Sequence, residues 1–469
     1  MSSHARSRAS WLPLAAASLA PFLLAGCGSI TGSGPSGQNT GEAFVIGTDA
    51  PVASVASFNA TIQSIDAIDA AGASVSLLSG SPTVDFARYN GLQTLLDMNN
   101  VPADTYKQIS VTFSSATIGY LQTQTGAPPT LQTLNVDFTN PTTTVTLANP
   151  LVVSQTGPVG IHLDFRLNRS IQTSGGQIVL TNGDAVVTPV LDIAAVGPDD
   201  PGAYIDEFDA AILTVNTAQQ TFTVQGPHGR HWTVNVNGNT EWDGGATINS
   251  LTSTTIVQIS GTLDRADSTI DADEIAILSQ NGFYAGGLVT YVEPQTGKAS
   301  DFDLYVRGTL PASGTGVTDG IQAQVDLTGQ EQFSIYWMNN PWTQFLFNQS
   351  ALIAGQHVSV GGPITGAANP QALSVQRVVL RHSGLNGALV PGSIDLNSGT
   401  FQMQVNGFAG VLIDQPVTVY CGLGTIFRFG LTGMGDIDDN TNLRVVGLLL
   451  KDPATGKPVL LARYVDVLI

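Results

Sequence analysis

The sequence predicts an all-β protein in which an N-terminal β-sandwich is followed by three small β-barrel-like repeats. Three observations indicate this fold class: short runs of alternating apolar and polar residues, turn residues at close intervals, and an internal repeat in the second half. The composition agrees, because 42% of the 469 residues are hydrophobic, only 11% are charged and 51 are glycine. Such a chain can bury substantial cores and does not have the composition of a disordered protein.

Residues 1–26 are predicted to form a signal peptide. Arg6 and Arg8 precede an apolar stretch that two prolines interrupt, and the stretch is too short for a stable membrane-spanning helix. It ends in Leu24-Ala25-Gly26-Cys27, which resembles the lipobox of bacterial lipoproteins. The resemblance implies that Cys27 carries acyl chains such as palmitate, and that residues 27–41 are the lipidated cysteine and a flexible tether. The alternative is an ordinary signal peptide with a chance cysteine.

The negative charge of the chain indicates that nucleic acid is not a partner. The formal net charge is −19 and no basic run offsets it, so the surface repels polyanions. The partners expected are a lipid bilayer, reached through acylated Cys27, and a polysaccharide or an envelope protein. Gly28 follows Cys27 where an aspartate would signal retention in the inner membrane. By resemblance to lipoprotein sorting, the protein is expected to be anchored in the outer membrane. It would face either the periplasm or the cell surface. No cofactor is predicted.

Residues 42–196 are predicted to form the β-sandwich domain. Period-two alternation runs through residues 58–64 and 105–113, and further strand-like segments continue to residue 193. Glycine, proline, asparagine and aspartate separate these segments, as in all-β proteins. Residues 91–98, with three leucines on one side, are the only segment of this domain for which a helical turn is expected.

Several motifs in this domain carry a family resemblance. The most specific is Pro102-Ala103-Asp104-Thr105-Tyr106-Lys107-Gln108-Ile109, accompanied by Thr48-Asp49-Ala50-Pro51-Val52 and Val84-Asp85-Phe86. These motifs resemble a family of bacterial lipoproteins known only as the domain of unknown function DUF4382. The resemblance implies a transthyretin- or immunoglobulin-like sandwich, and it carries over no catalytic residue.

After a turn-rich linker, the chain repeats itself with a period of about 80–100 residues. The predicted units are residues 204–281, 282–382 and 383–469. Each opens with two strands joined by a turn, and later has a strand ending in glycine that is followed by a final strand. About five or six strands in so short a unit fit a small closed barrel, which has no exposed edges. The pattern resembles a second domain of unknown function, DUF5666, most closely in the first unit.

One aromatic segment is a weak candidate for a binding site. Trp337 and Trp342 flank Asn339 and Asn340, and such residues can form a platform on which sugar rings stack while amides bond to hydroxyl groups. The alternative is that the rings fill the end of a barrel. No catalytic residue is predicted, because the sequence has no nucleophile elbow, phosphate loop or HExxH motif.

Other polar residues are interpreted as structural, and no metal site is predicted. His228 and His231 lie in a hairpin loop, and the acidic loops at 264–274 and 436–440 lack the EF-hand spacing, so solvated turns are favoured. Cys421 shares a strand face with two valines and is predicted to be buried and unreactive.

Three aspartates precede phenylalanine in strand-like segments: Asp85, Asp137 and Asp164. Together they could offer oxygen ligands to a metal ion. Strand alternation favours a simpler interpretation, in which each aspartate faces solvent while the neighbouring apolar residues face the core.

The expected function is that of a membrane-anchored lipoprotein with a non-catalytic binding or structural role in the cell envelope. A carbohydrate-binding or adhesion module of an envelope uptake system is the first alternative. A glycoside-processing enzyme is the second, and it would need a pair of carboxylates that no motif of the sequence singles out.

Overall fold

The computed structural model describes residues 39–49, 55–124, 127–174, 177–226, 229–311, 316–336, 342, 344–363, 372–405, 415–428 and 430–468. Strands dominate these residues, and helix is limited to α1 (Leu167–Ser170) and several single 3-10 turns. The all-β class predicted from the sequence is therefore confirmed. None of the described helices is long and apolar enough to cross a membrane. From Asn39 onward the chain forms one compact unit.

The N-terminal domain is built from two main sheets. The smaller has the strand order β14-β9-β1-β5, and the larger has the order β12-β13-β7-β6-β2-β3, with β4 on β2 and β8 on β6. The strands are β1 (Thr40–Asp49), β2 (Val55–Asp69), β3 (Ser74–Ser76), β4 (Thr83–Asp85), β5 (Thr94–Pro102), β6 (Thr105–Gln124), β7 (Ala127–Phe138), β8 (Thr142–Val152), β9 (Val159–Phe165), β10 (Thr173–Ser174), β11 (Gln177–Ile178), β12 (Leu180–Thr181), β13 (Asp184–Val187) and β14 (Leu191–Val196).

An aromatic cluster lies at the centre of this domain, between the two sheets. The ring of Phe165 lies 5.1 Å, centroid to centroid, from each of the rings of Phe58, Phe86 and Phe113. All four side chains are almost completely buried. Tilted and edge-to-face contacts at this distance add to the stabilisation that burial of each ring provides.

The helical turn expected at residues 91–98 was wrong, because Thr94–Pro102 forms strand β5. Leu96 faces the core of the sandwich, whereas Leu95 packs with Phe44 against the first repeat unit. The smaller sheet is thus covered on both faces. Consecutive leucines suit a strand that is buried on both sides as well as they suit a helix.

The rest of the chain forms three units of strands. Unit 1 contains β15 (Ile205–Asn216), β16 (Thr221–Gln225), β17 (His231–Asn235), β18 (Glu241–Trp242), β19 (Ile256–Leu263) and β20 (Ile270–Ser279). Unit 2 contains β21 (Phe283–Glu293), β22 (Asp301–Leu310), β23 (Gln322–Asp326), β24 (Gln332–Ile335), β25 (His357–Gly362), β26 (Ala372–Ser374) and β27 (Arg377–Leu380). Unit 3 contains β28 (His382–Leu389), β29 (Thr400–Val405), β30 (Gln415–Phe427), β31 (Asn442–Lys451) and β32 (Pro458–Val467).

The three units share one strand topology. In unit 3 the strands close in the order β28-β29-β30-β32-β31, and in unit 1 the order β15-β16-β17-β20-β19 is equivalent. In unit 2 the third and fifth strands are each broken in two, and they pair as β23 with β26 and β24 with β27. In every unit the third and fifth strands run parallel, and in unit 1 the short strand β18 also pairs in parallel with the fifth strand. The remaining neighbours run antiparallel, and the first four strands follow a Greek-key order.

Glycine is required where the fourth strand of a unit passes close to the fifth. A Cβ atom on Gly261 would lie 2.0 Å from the carbonyl oxygen of Asp271, and one on Gly447 would lie 2.0 Å from that of Leu461. Both glycines sit beside a register shift between the two strands. In units 1 and 3 the strand-ending glycine of the sequence repeat therefore marks a bulge at which the two backbones approach closely, whereas a Cβ atom on Gly361 of unit 2 would lie 2.6 Å from the carbonyl oxygen of Leu278.

Shared apolar clusters join the N-terminal domain to each unit. Phe44 packs with unit 1, Ala56 packs with Leu288 of unit 2, and Leu92 packs with Val446 of unit 3. Because these contacts are buried and apolar, the four parts are held as one body and leave clefts only where their surfaces diverge.

Candidate functional site

Most residues of the predicted sugar platform lie outside the described part of the chain, as does Cys27. The exception is Trp342, which is half-buried and packs edge-on against Tyr420 at a centroid distance of 5.3 Å. Trp337, Asn339 and Asn340 lie outside the described residues. The structure therefore places one ring of the segment in the contact between units 2 and 3.

The acidic loops bond to their own backbones. Asp264 accepts a hydrogen bond from the backbone N–H of Ala266 at 2.6 Å, and Asp436 accepts one from Thr432 at 2.8 Å. Among the described residues, no group of three or more histidines, cysteines, aspartates or glutamates is placed to hold a metal ion. His231 is exposed, and His228 lies outside the described residues.

Cys421 is half-buried rather than fully buried. Burial raises the pKa of its thiol to about 12. Since the thiolate is the reactive form, this cysteine is held in its unreactive form at neutral pH.

All three aspartates that precede phenylalanine were expected to face solvent, but two of them are buried. Asp137 is exposed, as strand alternation predicts, but Asp85 and Asp164 are only 7% and 9% exposed. Both point away from the sandwich core, yet that side of the domain is covered by the repeat units. Asp85 faces Arg307 of unit 2, and Asp164 lies near Arg444 of unit 3. The error arose because alternation within one domain does not reveal what covers its outer face.

A buried ionic network lies where the N-terminal domain meets units 1 and 2. Arg381, at the end of unit 2, contacts Glu207 at 2.8 Å and Asp209 at 3.0 Å. Arg88 of the N-terminal domain reaches the same two carboxylates, at 3.2 and 2.6 Å. The hydroxyl of Tyr284 donates to Asp209 at 2.6 Å. Arginine suits this position, because its planar guanidinium can bond to several acceptors at once.

The network fixes the charge of its members. Burial alone would raise the pKa of Asp209, but the guanidinium groups of Arg381 and Arg88 outweigh burial and hold that pKa well below its usual range. Burial alone would lower the pKa of Arg381, but Asp209 and Glu207 outweigh burial and raise that pKa. Asp209, Arg381 and Arg88 therefore stay ionised across the physiological pH range.

A cleft with two chambers, called the interdomain cleft below, borders this network and is lined by three of its residues, Arg88, Asp209 and Tyr284. Its larger cavity has a volume of about 560 Å³ and its smaller one about 420 Å³. Both are lined by Thr83, Asp85, Arg307 and Asp319. Both volumes lie in the range of small-molecule sites, which often form at domain junctions.

The two chambers differ in polarity. The larger is lined by apolar side chains, which include Leu95, Leu96 and Leu310, and by Arg88, Asp209 and Tyr284 of the ionic network. The smaller has mostly hydroxyl and amide groups, from Ser57, Asn59, Thr117, Thr133 and Tyr305. A ligand in the cleft would therefore meet an apolar wall on one side and neutral polar groups on the other.

Asp85 and Arg307 are shared by the two chambers. Oδ1 of Asp85 accepts a hydrogen bond from the backbone N–H of Phe58 at 2.8 Å, while Oδ2 lies 3.6 Å from Nε of Arg307. Arg307 in turn donates to the backbone carbonyl of Ala56. Burial raises the pKa of Asp85, and the Arg307 guanidinium offsets that rise only in part.

Comparison with known families gives two matches within the parts that build this cleft. Residues 40–182 match the family described as a domain of unknown function, DUF4382. Residues 210–276 match a second family, the domain of unknown function DUF5666. Both resemblances predicted from the sequence are thus confirmed. The comparison with curated proteins gave no match.

The cleft is assembled from both family segments and from a third part that neither match covers. Thr83, Asp85 and Arg88 belong to the DUF4382 segment, and Ala211 belongs to the DUF5666 segment. Arg307 lies in unit 2, beyond both matches. The site therefore depends on how the DUF4382 segment packs against two successive repeat units.

A second cavity, of about 290 Å³, lies between the DUF4382 segment and unit 3. Its arginines are matched by acids: Arg428 contacts Asp466 at 2.7 Å, Arg444 contacts Asp466 at 3.2 Å, and Arg166 contacts Asp164 at 3.3 Å. His162, which also lines this cavity, has its pKa lowered to about 4 by burial and by the two unit 3 arginines. This smaller cavity joins two parts of the fold by paired charges and is a weaker site candidate than the interdomain cleft.

Sequence reasoning missed every residue of the ionic network. Arg307 and Arg381 each follow an apolar strand run, Leu304-Tyr305-Val306 and Val378-Val379-Leu380. In a chain with so few charges, an arginine at the end of an apolar run is a usable signal of a buried ion pair. The identity of its acidic partners, however, depends on contacts between distant parts of the chain.

Proposed function

We propose that this protein is a lipid-anchored lipoprotein of the bacterial cell envelope, and that its folded part binds a small ligand in the interdomain cleft without converting it. The observation that carries the binding role is the cleft itself, with cavities of about 560 and 420 Å³ that share Asp85 and Arg307. The lipobox-like sequence ending in Cys27 supports the anchor. Gly28, in place of an aspartate after Cys27, supports anchoring in the outer membrane.

The acids of the cleft favour binding over catalysis. Glycoside hydrolysis needs two carboxyl groups that face each other, one able to give a proton and one free to attack or to activate water. Here Asp209 is fixed between two arginines, Asp85 is held by Phe58 and faces Arg307, and Asp319 accepts a hydrogen bond from Thr309 at 3.1 Å. Each carboxylate already has a structural contact.

A structural role is the second candidate, and the ionic network favours it. Arg88, Glu207 and Arg381 join three parts of the chain through contacts that are almost completely buried. Such a network would keep the DUF4382 segment and the first two units in a fixed arrangement, as a rigid spacer above the membrane requires.

The anchor is tested by metabolic labelling with radioactive palmitate in a bacterial host. Wild-type protein and Cys421→Ala should both incorporate the label and sediment with membranes. Cys27→Ala should lose the label and be released or remain unprocessed, since Cys421 is the only other cysteine. Label on Cys27→Ala, or unlabelled wild-type protein, would show that the lipobox interpretation is wrong.

The binding role is tested by thermal unfolding with the low-molecular-weight fraction of a bacterial envelope extract. Thr83→Trp should fill the cleft, because Thr83 is exposed and lines both chambers. Thr144→Trp is the matched control: Thr144 is also exposed, and it also bonds to a hydroxyl on a neighbouring strand. The extract should raise the melting temperature of wild type and of Thr144→Trp but not that of Thr83→Trp. An equal response from all three proteins, or none, would contradict ligand binding in the cleft.

A further inference from the structure

Two buried polar atoms of the interdomain cleft make no hydrogen bond within the described part of the chain. They are Oδ2 of Asp85 and Nε of Arg307, which lie 3.6 Å apart, too far for a direct hydrogen bond. The ionised carboxylate can only accept and the guanidinium N–H can only donate. A hydroxyl group beside them can satisfy both atoms at once, by donating to Asp85 and accepting from Arg307. A ligand carboxylate or ammonium could satisfy only one of them.

A row of polar side chains continues from Asp85 across the large sheet. Asn59 is opposite Asp85 on one side and Thr117 on the other, in the register of strands β4, β2 and β6. Both Asn59 and Thr117 are half-buried and line the smaller chamber. Neither side chain makes a hydrogen bond to another described residue. The row therefore offers an amide and a hydroxyl group to a ligand, next to the Asp85–Arg307 gap.

Elsewhere the same sheet satisfies its hydroxyl groups internally. A cross-strand bond joins Ser110 to Thr144 at 3.2 Å. Thr112, on the same strand as Thr117, bonds to Thr142 at 3.1 Å. Asn59 and Thr117, by contrast, border the cavity and keep their polar groups available to a ligand.

The three arginines around the cleft are matched by acids, and a further acid, Asp319, lines both chambers. The arginines at positions 88, 307 and 381 face the acids at positions 85, 207 and 209. An anionic ligand would add a further negative charge beside these buried acids, which is unfavourable, whereas a neutral ligand would not. The apolar wall around Leu95, Leu96 and Leu310 suits the C–H face of a ring.

We propose that the interdomain cleft binds a neutral carbohydrate, with one sugar hydroxyl bridging Asp85 and Arg307 and others bonding to Asn59 and Thr117. This inference rests on the proposed binding function and names its ligand class. The site is separate from Trp342, which packs against Tyr420 of unit 3. The acids of the cleft set the preference for neutral over acidic sugars.

Isothermal titration calorimetry on the full chain in detergent tests the proposal. The probes are three neutral hexasaccharides (cellohexaose, laminarihexaose and chitohexaose) and the anionic hexamer of galacturonic acid. At least one neutral sugar should bind to wild type, and the anionic hexamer should bind at least tenfold more weakly. Thr117→Val should weaken binding about threefold to tenfold, the range for loss of one hydrogen bond. Thr112→Val, the same change at a half-buried position of the same strand, should leave affinity unchanged.

Three outcomes would overturn the carbohydrate assignment. They are the absence of binding by every neutral hexasaccharide, tighter binding of the anionic hexamer, and equal effects of Thr117→Val and Thr112→Val. If the envelope extract still raises the melting temperature of wild type but not that of Thr83→Trp, the proposed binding function survives and only the ligand class is wrong. If the extract also has no effect, both proposals fail.

Discussion

Replacing Arg381 with methionine should destabilise the protein more than any surface change. Arg381 is fully buried and donates hydrogen bonds to Asp209 at 3.0 and 3.1 Å, to the Tyr284 hydroxyl at 2.6 Å and to the Ser359 hydroxyl at 3.1 Å. It also pairs with Glu207 at 2.8 Å. Methionine fills similar space but leaves the two buried carboxylates with one arginine, Arg88, in place of two. Removing one member of a buried ionic network costs about 3–5 kcal/mol, and we expect a loss of this size in the free energy of unfolding.

Urea denaturation followed by tryptophan fluorescence measures this loss, with Arg265→Met as the control. Arg265 pairs with Asp199 on the surface, where an ion pair contributes about 0–1 kcal/mol. Adding Glu207→Gln to Arg381→Met should recover part of the stability, because Arg88 and Asp209 then remain as a matched pair. Equal effects of Arg381→Met and Arg265→Met would refute the reasoning.

Two further predictions concern pH and backbone packing. Burial raises the pKa of Asp206 to about 6, so the stability that its protonated form contributes is present at pH 4 and is lost as the pH rises through about 6. Between pH 4 and 7, wild type should lose up to about 3 kcal/mol relative to Asp206→Asn in urea denaturation, and parallel pH profiles would contradict this. Gly447→Ala should cost at least about 1–3 kcal/mol, because its Cβ would lie 2.0 Å from the Leu461 carbonyl oxygen. Gly238→Ala, which meets no atom within 4 Å, should be nearly neutral by thermal unfolding, and equal losses would show that the close approach is absent.

The fold class was predictable because its signals are local. Alternation along the strands and the turn residues between them indicated β-structure before any contact was known, and the repeat in the second half appeared as recurring strand and glycine positions. The motif at 102–109 identified the DUF4382 segment, whose match covers residues 40–182.

Features that depend on what covers a surface were not predictable. Leu95 and Leu96 suggested a helical turn because the sequence does not show that both faces of strand β5 are covered. Asp85 and Asp164 were expected in solvent for the same reason, although each lies against a repeat unit. The interdomain cleft follows from the same packing, since Arg307 is more than two hundred positions along the chain from Asp85.

The most direct test of the central claim, that the interdomain cleft is the ligand site, is a crystal structure of the full chain with the tightest-binding neutral hexasaccharide. Our account predicts a sugar in the cleft with one hydroxyl oxygen about 3 Å from both Oδ2 of Asp85 and Nε of Arg307. A sugar bound instead at the segment around Trp337 and Trp342, with the cleft holding no part of it, would contradict the account.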